Sequence, residues 1–355
     1  MIPNRLLTAA ALPALLAATL VVAAPPAAAR TAVVEERSIE QVQAAMTAGR
    51  ATSVELTRAY LARIAAMDRR GPTLRSIIAL NPDAVAQARA LDAERRAGRV
   101  RGPLHGVPVL IKDNVETADR TATTAGSFAL AANVTRRDAP LVARLRAAGA
   151  VILGKTNLSE WANIRSDRSM SGWSAVGGLV RNPYALDRTA CGSSSGSGAA
   201  VAASFAAAAV GTETDGSITC PSSVNGLVGF KPTLGLASRT HVVPISHSQD
   251  TAGPMARSVR DAALLLSAMS APDPADPATA GTQVRDYTAG LSAAALSGMR
   301  VGVIRPEGLS PDLAARFDAA LGVLRASGAT LVEVTPPKLD GLGEAEFQVL
   351  LTELK

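Results

Sequence analysis

Short apolar runs alternate with amphipathic helical stretches along most of this chain, and that alternation restricts the fold more than any other feature. Residues 38–48 and 52–67 have helical spacing, and the second stretch opens with Thr52 followed three residues later by Glu55, the pattern of a capping box. Ile77, Ile78 and Leu80 predict a strand, and Pro82 with Asp83 starts a helix that runs to about Arg96. A buried-strand run at 107–111, a helix at 139–148 and a strand at 151–153 ending at Gly154-Lys155 continue the series. Runs that are apolar throughout belong to strands buried on both faces. The prediction is therefore an α/β fold whose mainly parallel or mixed sheet carries helices on both sides. Between Gly172 and Gly235 the chain turns to Gly, Ser, Thr and Pro, with an Ala-rich helix predicted at 199–209 as its regular piece. So long an irregular segment inside a compact domain points to function, because it lacks the charge-rich composition of disorder. A helix at 257–269 closes this region, and the Pro/Ala/Asp stretch 271–281 reads as an exposed linker. Strands at 300–304 and 330–334, with helices at 311–326 and 344–354, make a further βαβα unit.

Residues 1–29 stand outside this pattern and read as an export signal. Arg5 gives the positive start, 6–24 an apolar run broken by Thr8, Pro13 and Thr19, and Ala27-Ala28-Ala29 a small-residue cleavage site before Arg30. The run approaches the length of a membrane anchor, but cleavage is the reading adopted, which leaves no stable anchor and a periplasmic or extracellular protein. About 325 residues then remain as one large domain, 30–355. The formal charge of +6 is scattered, and its densest pairs, Arg95-Arg96 and Arg136-Arg137, have no interleaved aromatics, so no nucleic-acid surface is expected. Two cysteines, Cys191 and Cys220, are too few for a disulfide framework and lack metal-ligand spacing. In an oxidising compartment one bridge is open to them, but sequence does not tell whether they come within range. The histidines, His105, His241 and His247, form no cluster, and no metal site is expected.

Three segments carry candidate chemistry. Cys191-Gly192-Ser193-Ser194-Ser195-Gly196-Ser197-Gly198 presents several hydroxyls on a glycine-permitted turn ahead of a helix N-terminus, where developing negative charge is stabilised. Gly211-Thr212-Glu213-Thr214-Asp215-Gly216-Ser217-Ile218 places a glycine before a serine, so that consecutive backbone N–H groups can converge on one point as an oxyanion hole requires. Ile111-Lys112-Asp113-Asn114 puts a lysine at the end of an apolar strand, where desolvation disfavours the charged form and makes a base near neutral pH. Taken singly, these are equally a flexible linker, an ordinary turn and a surface lysine.

Together, and in this order, they resemble the amidase signature family. Ser193 lies in its Gly/Ser-rich motif, Ser217 follows 24 positions later in its Gly-Ser nucleophile motif, and Lys112 matches its strand-end lysine. Leu104-His105-Gly106-Val107-Pro108, Gly154-Lys155-Thr156-Asn157-Leu158-Ser159-Glu160, Arg181-Asn182-Pro183 and Gly253-Pro254-Met255-Ala256-Arg257 also fit, and the resemblance covers roughly 38–269. It implies the amidase signature fold and hydrolysis of small-molecule or peptide amides, with Ser217 as nucleophile and Lys112 as the ultimate base. Ser193, in a cis peptide, would relay protons, and the backbone N–H groups of Thr214, Asp215, Gly216 and Ser217 would form the oxyanion hole. No metal or organic cofactor is implied. Most of the family has Asp and Gly where this chain has Glu213 and Asp215, and the variant resembles the peptide amidase branch, which removes C-terminal amides.

Rival readings remain on sequence alone. Gly192-Ser193-Ser194-Ser195-Gly196 satisfies the Gly-x-Ser-x-Gly elbow of an α/β-hydrolase esterase around Ser194, with His241 or His247 as base, although the residues before it are turn-like. The intracellular tRNA-dependent amidotransferases share the motifs, but an export signal argues against that reading. The chain reaches Lys355 within its last predicted helix, whose apolar Phe347, Val349, Leu350, Leu351 and Leu354 call for a covering partner. Family members run further, so the chain is expected to be incomplete as a folding unit, and a truncated, inactive amidase-like protein is the alternative.

Overall fold

The computed structural model describes residues 33–354, so the predicted export signal lies outside the described residues. Helices α1 (Ile39–Thr47) and α2 (Ser53–Met67) begin where the caps predict them. Ser38 and Thr52 accept the backbone N–H of Gln41 and Glu55, whose side chains reach back to the cap, so both capping boxes close. Strand β1 (Ile77–Leu80), helix α3 (Ala84–Arg96), strand β2 (Pro108–Lys112), helix α4 (Pro140–Ala147) and strand β3 (Val151–Thr156) follow in the predicted order.

The irregular segment holds more structure than its composition suggests: β4 (Trp173–Ser174), β5 (Gly178–Leu179), α5 (Ser195–Ala202), β6 (Ala208–Glu213), α6 (Thr219–Val224) and β7 (Val228–Gly229). The single helix predicted at 199–209 is in fact a helix and a strand. Helix α5 ends at Ala202, Ser204 takes a left-handed φ of 55°, and Ala208 and Ala209 enter β6. Alanine serves either state, and here burial on both sides of a central strand overrides its helical preference. Strand β8 (Thr251–Ala256) precedes helix α7 (Val259–Met269).

These strands form one mixed sheet in the order β1-β3-β2-β6-β8-β7. Strands β3, β2 and β6 run parallel, while β1, β8 and β7 are antiparallel to their neighbours. Every residue of β2, β3, β6 and β8 is buried, so both faces of the centre are covered. Helix α5 is buried along its whole length and packs against β6, β2, β3 and β8. Its approach is so close that a Cβ on Gly196 would stand 2.3 Å from Ser76 O and 2.4 Å from Asn157 O.

The stretch 271–281, predicted as an exposed linker, is exposed at most of its residues but tied down at three points. Asp276 pairs with Arg239 at 2.5 Å, Asp273 accepts the Ser238 and Thr240 hydroxyls at 2.6 Å, and Asp276 and Thr279 are buried. Its aspartates are anchors for a neighbouring loop and not solvating charges. Beyond it, β9 (Arg300–Val303) and β10 (Thr330–Glu333) pair in parallel as a separate two-stranded sheet with α8 (Pro311–Ala326) between them, and α9 (Leu342–Glu353) follows. No helix among the described residues is long and apolar enough to cross a membrane.

Candidate active site

The sheet brings the candidate residues together at the carboxyl ends of two neighbouring parallel strands, where α/β sheets open their crevices. Ile111 of β2 stands in register with Val210 of β6, so Lys112 emerges beside Thr212. The Lys112 side chain is fully buried. Its Nζ lies 2.8 Å from Ser193 Oγ, 2.8 Å from Thr212 Oγ1 and 3.1 Å from Thr212 O. Among the described residues no carboxylate reaches ion-pair distance of Nζ. Burial pulls its pKa from the ordinary 10.5 down to about 7, against the smaller opposing fields of Asp250 and Glu213. The neighbouring cation is treated differently: Lys155 Nζ stands 3.2 Å from Asp113 Oδ1, both side chains fully buried, and the pair ties the ends of β2 and β3 together.

Ser193 follows a cis peptide bond to Gly192 and is itself fully buried apart from the cavity it lines. Ser194 has another task. Its hydroxyl donates to Thr212 O at 3.0 Å and accepts the Thr212 N–H at 3.2 Å, so it docks the start of α5 onto β6. No strand precedes it, and neither histidine serves it: His241 stands 3.8 Å from Glu116, and the exposed His247 3.3 Å from Glu353. The esterase elbow is absent.

Ser217 lies in the turn between β6 and α6 and lines the same cavity as Ser193. The two segments touch through Ser194 N–H, which donates to Ser217 O at 3.1 Å. Glu213 organises the turn. Its buried carboxylate accepts N–H groups from Gly216 at 3.0 Å, Ile218 at 2.6 Å and Thr219 at 2.8 Å. Of the four N–H groups expected in an oxyanion hole, that of Gly216 is therefore engaged, while those of Thr214, Asp215 and Ser217 have no acceptor among the described residues. Gly216 contributes its φ of 75°, which lets the chain reverse direction before Ser217. On the far side, Thr214 Oγ1 donates to Asp250 at 2.5 Å, and Asp250 also accepts the N–H groups of Ile245 and Ser246.

The cavity has a volume of about 300 Å³. Ser193, Thr212, Thr214 and Ser217 make its floor, and Val242, Val243, Pro244 and Ile245 with Ala275 and Pro277 make an apolar wall. An adjoining hollow shares Asn114, Ala162 and Val243–Ile245 and extends towards Trp161 and Arg165. The Cys191–Cys220 disulfide, left open by the sequence, is formed, with Cα atoms 6.0 Å apart. Sequence reasoning missed Thr212, which contacts the lysine twice, and the Arg239–Asp276 pair in the wall. Thr212 stands in the candidate segment 211–218, but no role was assigned to it there.

A family model described as Amidase matches residues 55–355. A protein of Arabidopsis thaliana named as a probable amidase is 43% identical over 336 residues, covering 92% of this chain and 64% of its own length. A glutamyl-tRNA(Gln) amidotransferase polypeptide of Thermobifida fusca is 42% identical over 319 residues, 89% of this chain and 62% of its own. Among solved structures, the peptide amidase of Stenotrophomonas maltophilia is 55% identical with a TM-score of 0.88, over 90% of this chain and 66% of that one. The chain thus spans less than two thirds of the length of each.

Proposed function

The chain belongs to the amidase family, and from that premise we propose that it hydrolyses carboxamide bonds through a covalent acyl-enzyme on Ser217. The observation that carries the reading is a buried lysine without a carboxylate partner among the described residues, 2.8 Å from a serine hydroxyl that shares a cavity with a second serine. A neutral amine has two N–H donors and one lone pair. Lys112 has three partners, of which Thr212 O only accepts and Thr212 Oγ1 has two lone pairs, one for the Asn114 side chain at 3.0 Å and one for Lys112. With both N–H groups directed to Thr212, the lone pair is left for the Ser193 proton.

Ser217 Oγ then attacks the amide carbon as its proton passes to Ser193 and the Ser193 proton passes to Lys112. The oxyanion is met by the unengaged N–H groups of Thr214, Asp215 and Ser217. The relay reverses to protonate the leaving amine, the C–N bond breaks, and water, activated along the same chain, releases the acid and restores Ser217. Peptide C-terminal amides are the proposed substrates, on the likeness to the peptide amidase and on an apolar wall with room for a side chain. The work is placed outside the cytoplasm on the predicted export signal alone.

The test is Ser217→Ala, expected to lower turnover by roughly 10⁴-fold or more with the thermal transition kept. A sulfonyl fluoride should label Ser217 in the parent, and kcat/KM across peptide, aryl and short aliphatic amides should be highest for peptide amides. Labelling of Ser194 with Ser217 untouched would overturn the mechanism, and a preference for short aliphatic amides would overturn the substrate class.

A further inference from the structure

The disulfide sits where it joins the two reacting serines. Cys191 is two residues before Ser193, and Cys220 is three residues after Ser217. The segments they anchor are irregular. Cys191 has a φ of 55°, a left-handed conformation that a non-glycine residue holds only when its surroundings fix it, and its carbonyl accepts Ser195 Oγ at 2.5 Å. Cys220 N–H donates to Gly216 O at 2.8 Å, in the first turn after the nucleophile.

The bridge is the covalent tie between the two segments, beside a set of hydrogen bonds. Among the described residues no side chain hydrogen-bonds the Ser217 hydroxyl. Besides the bridge, the segments are linked by Ser194, whose N–H donates to Ser217 O and whose hydroxyl bonds Thr212, by Lys112 between Ser193 and Thr212, and by Asn225, whose side chain donates to Ala190 O at 3.1 Å and to Pro221 O at 2.7 Å. Strand β6 and helix α5, inside the loop the bridge closes, are buried throughout, so packing holds them as well as the bond does. Both cysteines are only half-buried and neither lines the cavity, so a reductant reaches the bond without crossing the substrate.

We propose that the Cys191–Cys220 disulfide is a positioning device that fixes the segments of the two serines relative to each other at the shared cavity, so that turnover depends on the oxidation state of this bond. The inference rests on the reading of Ser217 as nucleophile and Ser193 as relay. A dithiol reductant attacks one sulfur, forms a mixed disulfide and leaves as its own cyclic disulfide. Two electrons and two protons pass to the protein, and one S–S bond becomes two S–H bonds. Misplacing reacting groups by about 1 Å costs on the order of 10²-fold in rate. Reduction should therefore lower kcat by roughly ten- to a hundredfold and leave KM within about twofold, because the cavity wall is untouched.

The experiment compares the oxidised protein, the same protein after dithiothreitol with both thiols counted, and the Cys191→Ala/Cys220→Ala variant. Each is measured for kcat, KM, rate of sulfonyl fluoride labelling at Ser217 and cooperative thermal unfolding. Support consists of a fall in kcat and labelling rate with the transition kept above assay temperature, recovery on re-oxidation, and a variant that is slow and indifferent to dithiothreitol. A fully reduced protein with parental kcat overturns the proposal. So does loss of the folded state in both the reduced protein and the variant, which would make the bond a fastener of the whole fold. An oxidised protein that neither turns over amides nor labels at Ser217 sinks the parent reading instead.

Discussion

Lys112 shows what a charge-bearing side chain costs when it is kept dry. Its pKa of about 7 in the folded protein lies well below the ordinary 10.5, so between those values the unfolded chain holds more protons than the folded one. Stability should rise with pH across that window, and below pH 7 the full penalty is present, about 5 kcal/mol at 1.36 kcal/mol per pKa unit. Lys112→Met should abolish turnover and also remove this rise, which urea unfolding at pH 7 and pH 10 would read as a flattened difference between the two conditions. The same titration governs activity: kcat/KM should climb as pH rises through 7, when the amine loses its proton. Lys112→Arg should be as inactive as Lys112→Met, since arginine stays charged, and near-parental turnover in Lys112→Arg would show that no neutral base is at work.

At the scale of elements, the decisive contact is that of α5 with the ends of β1 and β3. Gly196 N–H donates to Asn157 O at 2.9 Å, and Thr156 Oγ1 and Ser197 Oγ lie 2.7 Å apart. Gly196→Ala would press a Cβ on backbone atoms that cannot rotate away, so it should cost about 1–3 kcal/mol or more and lower the thermal midpoint by several degrees. An unchanged midpoint would show that α5 is free to shift. Much of this architecture was legible because its signals are local. The caps at Ser38 and Thr52 lie three residues from their partners, and β2 and β3 are apolar throughout most of their length. Strand β8 was not predicted, because glycine and proline are poor strand formers and nothing in the sequence shows that Pro254 sits opposite Val210. Lys112, Ser193 and Ser217 could be named from motifs in a fixed order. Thr212, Asp250 and the Arg239–Asp276 pair could not, for their contacts join segments 36 to 100 residues apart.

Across the whole molecule, burial is uneven. The four central strands of the main sheet are wholly buried, whereas of the apolar side chains in the β9–α9 region only Val303, Leu321 and Ala329 are, and Phe347, Val349 and Leu351 of α9 are exposed. Local opening follows buried apolar contact, so amide hydrogens of β9, α8, β10 and α9 should exchange roughly two or more orders of magnitude faster than those of β2, β3 and β6. Equal protection in hydrogen-exchange mass spectrometry would show that the two regions open as one. The cavity is divided along a different line. Its floor is built from sheet ends and the turn before α6, while its wall comes from the loops 240–245 and 275–277, held by Asp250, Asp273 and Arg239 at their bases. Heredity can therefore treat the two separately: a gene copy that accumulates changes at the tips of those loops alters what the cavity admits, while the floor with Ser193, Thr212 and Ser217 passes down intact.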